Sequence, residues 1–183
     1  APATPSHGGV MFRLRRLAPW ALAAFCLPVP LRAQALNDPN IVAIFDAANT
    51  ADIETSQLAV GRGQDQRVRD LAQSFAAAHK AVRQQGRDLA GRLGVKPVLP
   101  AGDQSLAQHQ EAMKALRATP QANFDRAWLD HEIAFHQAVI DAVTNTLLPA
   151  IKNAELKALV QKVAPAFVGH LEQAKALRAS LGT

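Results

Sequence analysis

The chain has 183 residues, with 20 Lys and Arg against 15 Asp and Glu, six His, one Cys and no Tyr. Its formal charge of +5 comes mostly from Arg13, Arg15, Arg16 and Arg32; the first 35 residues carry no acid, so 16 basic and 15 acidic residues remain beyond them. A nearly neutral remainder with no basic stripe and interleaved aromatics excludes tracking of nucleic-acid phosphates and weakens a membrane-surface role. Cys26, the single cysteine, also lies in those first residues, which leaves the rest no thiol for disulfides, Cys-based zinc sites or thiol catalysis.

Arg13, Arg15 and Arg16 precede the apolar run LAPWALAAFCLPVPL and then RAQA. A basic start, an apolar middle and small residues before a cut make a secretory signal peptide. Ala33 and Ala35 meet the small-x-small rule, which places cleavage after Ala35 and the first mature residue at Leu36. The apolar run is broken by Pro19, Pro28 and Pro30 and is shorter than the roughly 20 residues of a transmembrane helix, so no membrane span is expected in the mature chain. Phe25 stands before Cys26 where a lipoprotein signal has a small residue, which disfavours lipidation. The expected organisation is a leader and signal peptide over 1–35 and one domain over 36–183, periplasmic or secreted. The sequence points to no nucleic-acid partner, names no envelope protein that it would bind, and sets no oligomeric state.

Beyond the leader nearly every long segment has helical period and none alternates with period two. NDPN opens the first helix, with Asn37 or Asp38 as cap and Pro39 in the first turn, and GRG at 61–63 closes it, giving a helix over 39–60. The second starts near Asp65 and stops at Gly94; its stripe Val68, Ala72, Phe75, His79, Val82, Gly86, Leu89, Leu93 steps by four and three, as in a bundle. The Pro- and Gly-rich VKPVLPAGD cannot be helical and leads to a short helix over about 104–118. The third long helix runs from Asn123 to about Thr146 with Leu129, Ile133, His136, Ile140, Val143 and Leu147 on one face. The fourth, over 153–181, carries Leu156, Val160, Val163, Phe167, His170, Ala174, Leu177 and Leu181; Pro165 inside it is expected to kink or split it. The fold class is all-α: an up-down-up-down four-helix bundle with a short extra helix between the second and third.

His79, His136 and His170 thus occupy core positions of three different helices. With both tight turns at one end of the bundle, their depths are about 16, 14 and 19 residues, and Glu132 is at about 18, a spread of about 7 Å at 1.5 Å per residue. Glu132 and His136, four apart, share one helical face. Three imidazoles and a carboxylate suit one zinc, copper, iron or manganese ion; the alternative is a buried hydrogen-bond network of packed core histidines. His131 and His109 lie off the stripes and are expected in solvent, and Trp128 and Phe135 are expected to pack. Glu54 falls on an apolar stripe with Ile44, Ala47, Ala51 and Leu58, at a depth of only about 8 residues, some 12 Å from His79. A buried carboxylate there needs a partner, for which Arg67 and Arg69 stand at a suitable level. Asp46 matches the depth of His79 but not its angle.

Phosphate loops after a strand, a Ser-His-Asp set and the zinc-protease spacing are absent; HEIAFH has one residue too many between its histidines. The succession AANTADIETSQLA, VRDLAQSFAAAHKAV, FDRAWLDHEIAFHQAVID and VAPAFVGHLEQAKAL resembles the bacterial domain-of-unknown-function family 4142, exported proteins that often carry an outer-membrane label. The resemblance covers about residues 40–181. It implies a ferritin-like four-helix fold, with family motif positions falling on Glu54, His79, His136 and His170, and it supplies no reaction. Ala78 stands where the family usually has Asp before its histidine, removing a carboxylate that would orient the imidazole. Without Glu-x-x-His pairs at the right places, ferroxidase or oxygenase chemistry is not expected, and a strandless chain cannot be an outer-membrane barrel.

Two functions from different classes follow. One is an exported bundle binding a metal ion through His79, Glu132, His136, His170 and Glu54; the other is a non-catalytic envelope-stress or protein-interaction module whose histidines only pack. An exposed apolar patch at Leu106, Met113 and Leu116 would favour the second. An enzyme using imidazole and carboxylate as acid and base is the least favoured.

Overall fold

The computed structural model describes residues 35–182, so the signal-peptide assignment and Cys26 lie outside the described residues. Asn37 opens α1 (Asp38–Arg62) in a capping box, its side chain accepting from the Asn40 amide while Asn40 accepts from the Asn37 amide. This satisfies two donors that the first helical turn would otherwise leave unpaired. Asp65 caps α2 (Gln66–Leu93), which ends at Gly94 in the left-handed conformation, φ 63°. There glycine avoids the Cβ clash. The linker leads to α3 (Ser105–Ala118), then α4 (Phe124–Ala142), a π-helical turn over Val143–Leu147, the one-turn α5 (Leu148–Ala150) and α6 (Ala154–Ser180). Among the described residues there is no strand and no helix long and apolar enough to cross a membrane.

α1, α2, α4 and α6 form a ferritin-like four-helix bundle, the fold class expected, with α3 as the extra helix. The helix directions differ from the expected up-down-up-down. Asp125 at the start of α4 accepts from the Gln64 and Asp65 amides of the α1–α2 turn. Asp38 at the start of α1 accepts from the Lys152 and Asn153 amides before α6. The two tight turns therefore sit at opposite ends, and the order is up, down, down, up. The cause is the crossover: the linker and α3 together carry the chain back along the bundle before α4 begins, with Val98 held at the start of α1 and the end of α3 held at Arg62.

Pro165 does not split α6, which runs unbroken through it. Val160, Val163, Phe167 and Leu171 around it are buried, and burial worth about 1.5–3 kcal/mol per large apolar side chain outweighs one lost backbone bond.

Two apolar clusters fill the bundle. One, at the end where α1 starts, gathers Ile41, Phe45, Leu89, Val143, Leu156 and Phe167; the other, at the end where α1 stops, gathers Val68, Phe75, Phe124, Trp128, Leu129 and Ala174. Between them lies a buried polar layer of Asn49, Asp52, Thr55, Ser56, His79, Glu132, His136 and His170.

Candidate metal centre

One helix of the bundle supplies each imidazole: α2 gives His79, α4 His136 and α6 His170, while α1 supplies Asp52. All four are buried. Their facing atoms are His79 Nε2, His136 Nε2, His170 Nδ1 and Asp52 Oδ2. His79 Nε2 lies 3.2 Å from His170 Nδ1 and 3.4 Å from Asp52 Oδ2, and His136 Nε2 lies 3.6 Å from the same oxygen. The three imidazoles bring their ligand atoms within 4.8 Å of one another, as do Asp52, Glu132 and His136. These buried groups can hold a metal ion.

The hydrogen bonds behind the rings fix which nitrogen is free. His136 Nδ1 lies 3.0 Å from the Glu132 carbonyl, one turn back. A carbonyl only accepts, so Nδ1 carries the proton and Nε2 keeps its lone pair. Asn49 Nδ2 donates to the Phe45 carbonyl at 2.8 Å, which turns Asn49 Oδ1 toward His79 Nδ1 at 2.9 Å. His79 is thereby also protonated at Nδ1, with Nε2 directed at the centre. Phe75 stacks on His170, centroids 4.2 Å apart, and Phe167 on His79, centroids 5.6 Å apart, so the rings are wedged as well as bonded.

Burial sets the protonation. It lowers the His79 imidazole to about 3 and those of His136 and His170 to about 4, the neighbouring imidazoles adding to the effect at His79. Neutral imidazole is the ligand form. Burial raises Asp52 to about 7, opposed by hydrogen bonds from Glu132 and Ser56. It raises Glu132 well above the carboxylate range, with the Asp52 charge adding to the rise. Among the described residues His136 Nε2 is buried with no hydrogen-bond partner, which is costly, while Asp52 and Glu132, two buried carboxyls side by side, can pair only when one of them carries a proton.

Glu132 stands beside the four facing atoms. Its Oε1 is 3.0 Å from Thr55 Oγ1 and its Oε2 is 3.5 Å from His136 Nδ1, the nitrogen turned away from Asp52. Glu54 is not brought to the centre: its half-exposed carboxylate accepts from His109 Nε2 of α3 at 2.7 Å, so its partner is this histidine rather than Arg67 or Arg69. The apolar stripe containing Glu54 faces α3, and the core face of α1 is the one with Asn49, Asp52, Thr55 and Ser56. Asp46 pairs with Arg87. His109 is largely covered by its pairing, and His131 is mostly buried beside Phe135, so neither is the free surface histidine expected.

Asp52 is the residue that sequence reasoning missed. The signal was there as a polar series, Asn49, Asp52, Thr55 and Ser56, at helical spacing, and a search for apolar stripes passes over it.

A solved structure of a DUF305 fragment from Deinococcus radiodurans is similar in fold, with a TM-score of 0.68 and 18% sequence identity over 78% of this chain and 95% of that one. No curated protein matches the chain. Residues 28–177 match the model of a domain of unknown function, DUF4142, and the chain belongs to that family.

Proposed function

We propose that the protein is an exported metal-binding bundle that holds one divalent first-row transition-metal ion between His79, His136, His170 and Asp52. The supporting observation is that three imidazole nitrogens lie within 4.8 Å of one another and that Asp52 Oδ2 lies 3.4 Å from one of them and 3.6 Å from another. His79 Nε2 and His170 Nδ1 are 3.2 Å apart, and His136 Nε2 is buried and unpartnered among the described residues. Ligands about 2.0–2.1 Å from an ion at tetrahedral angles lie about 3.3 Å from one another. Three neutral nitrogens and one carboxylate oxygen, without sulfur, favour a divalent ion such as zinc, manganese or iron over cuprous copper. Glu132 in this reading is a positioning residue, holding His136 from behind through its carbonyl.

The interaction-module reading depends on an apolar patch on α3. Of its three residues only Leu106 is exposed, at 62%, while Met113 and Leu116 are buried at 6% and 4%.

Metal content by mass spectrometry on protein purified without a histidine tag tests the proposal. One equivalent per chain is expected after incubation with zinc, manganese or iron, lost in the His136→Ala, His170→Ala variant and in the nearly isosteric Asp52→Asn. Wild-type protein without metal after each incubation would reject it.

A further inference from the structure

α3 lies on the outer side of α1, opposite the metal centre, and its apolar fastening is at its C-terminal end. Met113 and Leu116 are buried, and Arg62 binds the last carbonyls, whereas Leu106 at the other end is 62% exposed. α1 faces it with small side chains, Ala43, Ala47, Ala48 and Ala51, which leave the space between the helices unfilled. The result is a cleft of about 760 Å³ between α1, α3, α4 and the linker, with Leu99, Leu106 and Phe135 among its apolar walls. This size and lining are typical of small-molecule sites.

Its charged groups are two carboxylates, Asp46 and Glu54, and one guanidinium, Arg87. Glu54 and His109 meet at 2.7 Å at the wall, and His131 lines the same cleft, stacked against Phe135 with centroids 6.0 Å apart. Asp46 and Arg87, also in the lining, are tied to each other. An anionic occupant would meet Glu54 and Asp46, and Arg87 is already engaged. A cation would lose its hydration shell against mostly apolar walls. A neutral molecule with a hydrogen-bond donor satisfies the Glu54 oxygens and the imidazoles without either cost.

We propose that this cleft binds an uncharged, apolar small molecule carrying one hydroxyl or arylamine N–H, with its polar end at Glu54, His109 and His131. The site is independent of the metal centre and requires no metal.

Titration with N-phenyl-1-naphthylamine, an uncharged arylamine that fluoresces in apolar surroundings, tests it on the purified protein. Saturable binding of one probe per chain is expected. Ala47→Phe fills the cleft, and Leu106→Asp places a charge at its mouth on an exposed position that cannot disturb the core. Each is expected to weaken the probe at least tenfold with metal content unchanged. Decanol should displace the probe at least tenfold more effectively than decanoate. Absence of saturable binding, wild-type affinity in both variants, or equal displacement by decanoate would overturn the proposal.

Discussion

His79 Nε2 of α2 stands 3.4 Å from Asp52 Oδ2 of α1, with both side chains all but excluded from water. The imidazole is held neutral and the carboxyl is pushed up by burial, so the contact is not an ordinary ion pair. A cation placed between them would let the Asp52 carboxyl ionise and would accept the His79 lone pair. Asp52→Asn keeps the shape and removes the anion. It is expected to weaken metal binding at least 100-fold in competition with a chromophoric chelator, while helicity by circular dichroism stays at the wild-type value. Unchanged affinity would remove Asp52 from the ligand set.

Asn49 touches the proposed centre only through His79. Its Oδ1 fixes the Nδ1–H tautomer, and its own orientation is fixed by the Phe45 carbonyl. Substitutions behind a ligand typically cost about 10–100-fold in affinity, and Asn49→Ala is expected to fall in that range while Ser56→Ala, on the other carboxylate oxygen, costs less. The two variants separate loss of tautomer control from general loosening of α1; equal losses would point to loosening.

In the metal-free protein the buried acids and the imidazoles contribute to the pH dependence of stability with opposite signs over overlapping windows. Asp52 keeps its proton up to about 7 in the fold, against 3.8 when unfolded. Between those values the unfolded chain has released a proton that the folded one retains, so stability falls as pH rises through the window. The imidazoles have the opposite sign. Held neutral down to about 3 or 4 rather than 6.5, they contribute stability above 6.5 that is lost as pH falls. Between about pH 4 and 6.5 the three imidazoles outweigh the one carboxyl, so urea denaturation of chelator-treated protein should show stability rising with pH, and Asp52→Asn should steepen that rise. Glu132, raised in the same direction as Asp52, keeps its own opposing share. Parallel curves for the variant and wild type would show that Asp52 is not buried as an acid.

The helices and their ends were legible because their signals are local. Asn37, Pro39, Asp65 and Gly94 act within one turn of where they stand, and the four-three stripes of α2 and α6 name the buried faces directly. Helix directions were not legible, because they depend on whether the 29 residues between Gly94 and Phe124 cross one end or travel the length of the bundle. The histidines were found as exceptions on apolar stripes. Asp52 was not, because α1 is apolar on both sides, one toward the core and one toward α3. The stripe containing Glu54 is the outer one. A polar series on a helix covered on two sides reads as its solvent face unless its neighbours are known.

Gly86 is required by the aromatic ring opposite it. A Cβ built there would lie 2.8 Å from Phe45 Cε1 and 2.9 Å from Cδ1, and both residues are buried. Alanine gains up to about 1 kcal/mol in helix propensity, but overpacking a filled core costs about 1–3 kcal/mol. Gly86→Ala is expected to lower the melting temperature, and Phe45→Leu in the same chain to recover part of the loss. Additive losses in the double mutant would show that the ring does not set the glycine requirement.

Arg62 closes the crossover. From the last turn of α1 its Nη1 donates to the carbonyls of Leu116 and Arg117, each at 2.9 Å, and its Nη2 to that of Thr119 at 2.8 Å. The guanidinium also covers the Phe124 ring, 4.5 Å from its centroid. These carbonyls end α3, where the helix has no amides left to satisfy them, and the cationic fork is well placed against the negative end of the helix dipole. Among the described residues α3 has few other fastenings: the buried Met113 and Leu116, and the pairing of His109 with Glu54. Hydrogen bonds from a charged donor contribute about 1.5–3 kcal/mol. Arg62→Ala should therefore raise amide exchange across 105–118 by at least tenfold, with α2 and α6 protected as before. Arg62→Lys should fall between the two, since a point charge cannot span three carbonyls. If exchange in α3 stays at the wild-type rate in Arg62→Ala, the buried Met113 and Leu116, with the His109–Glu54 pair, hold the helix without it. In that case the crossover that directs α4 back along the bundle is secured by that packing and pairing rather than by the Arg62 clasp.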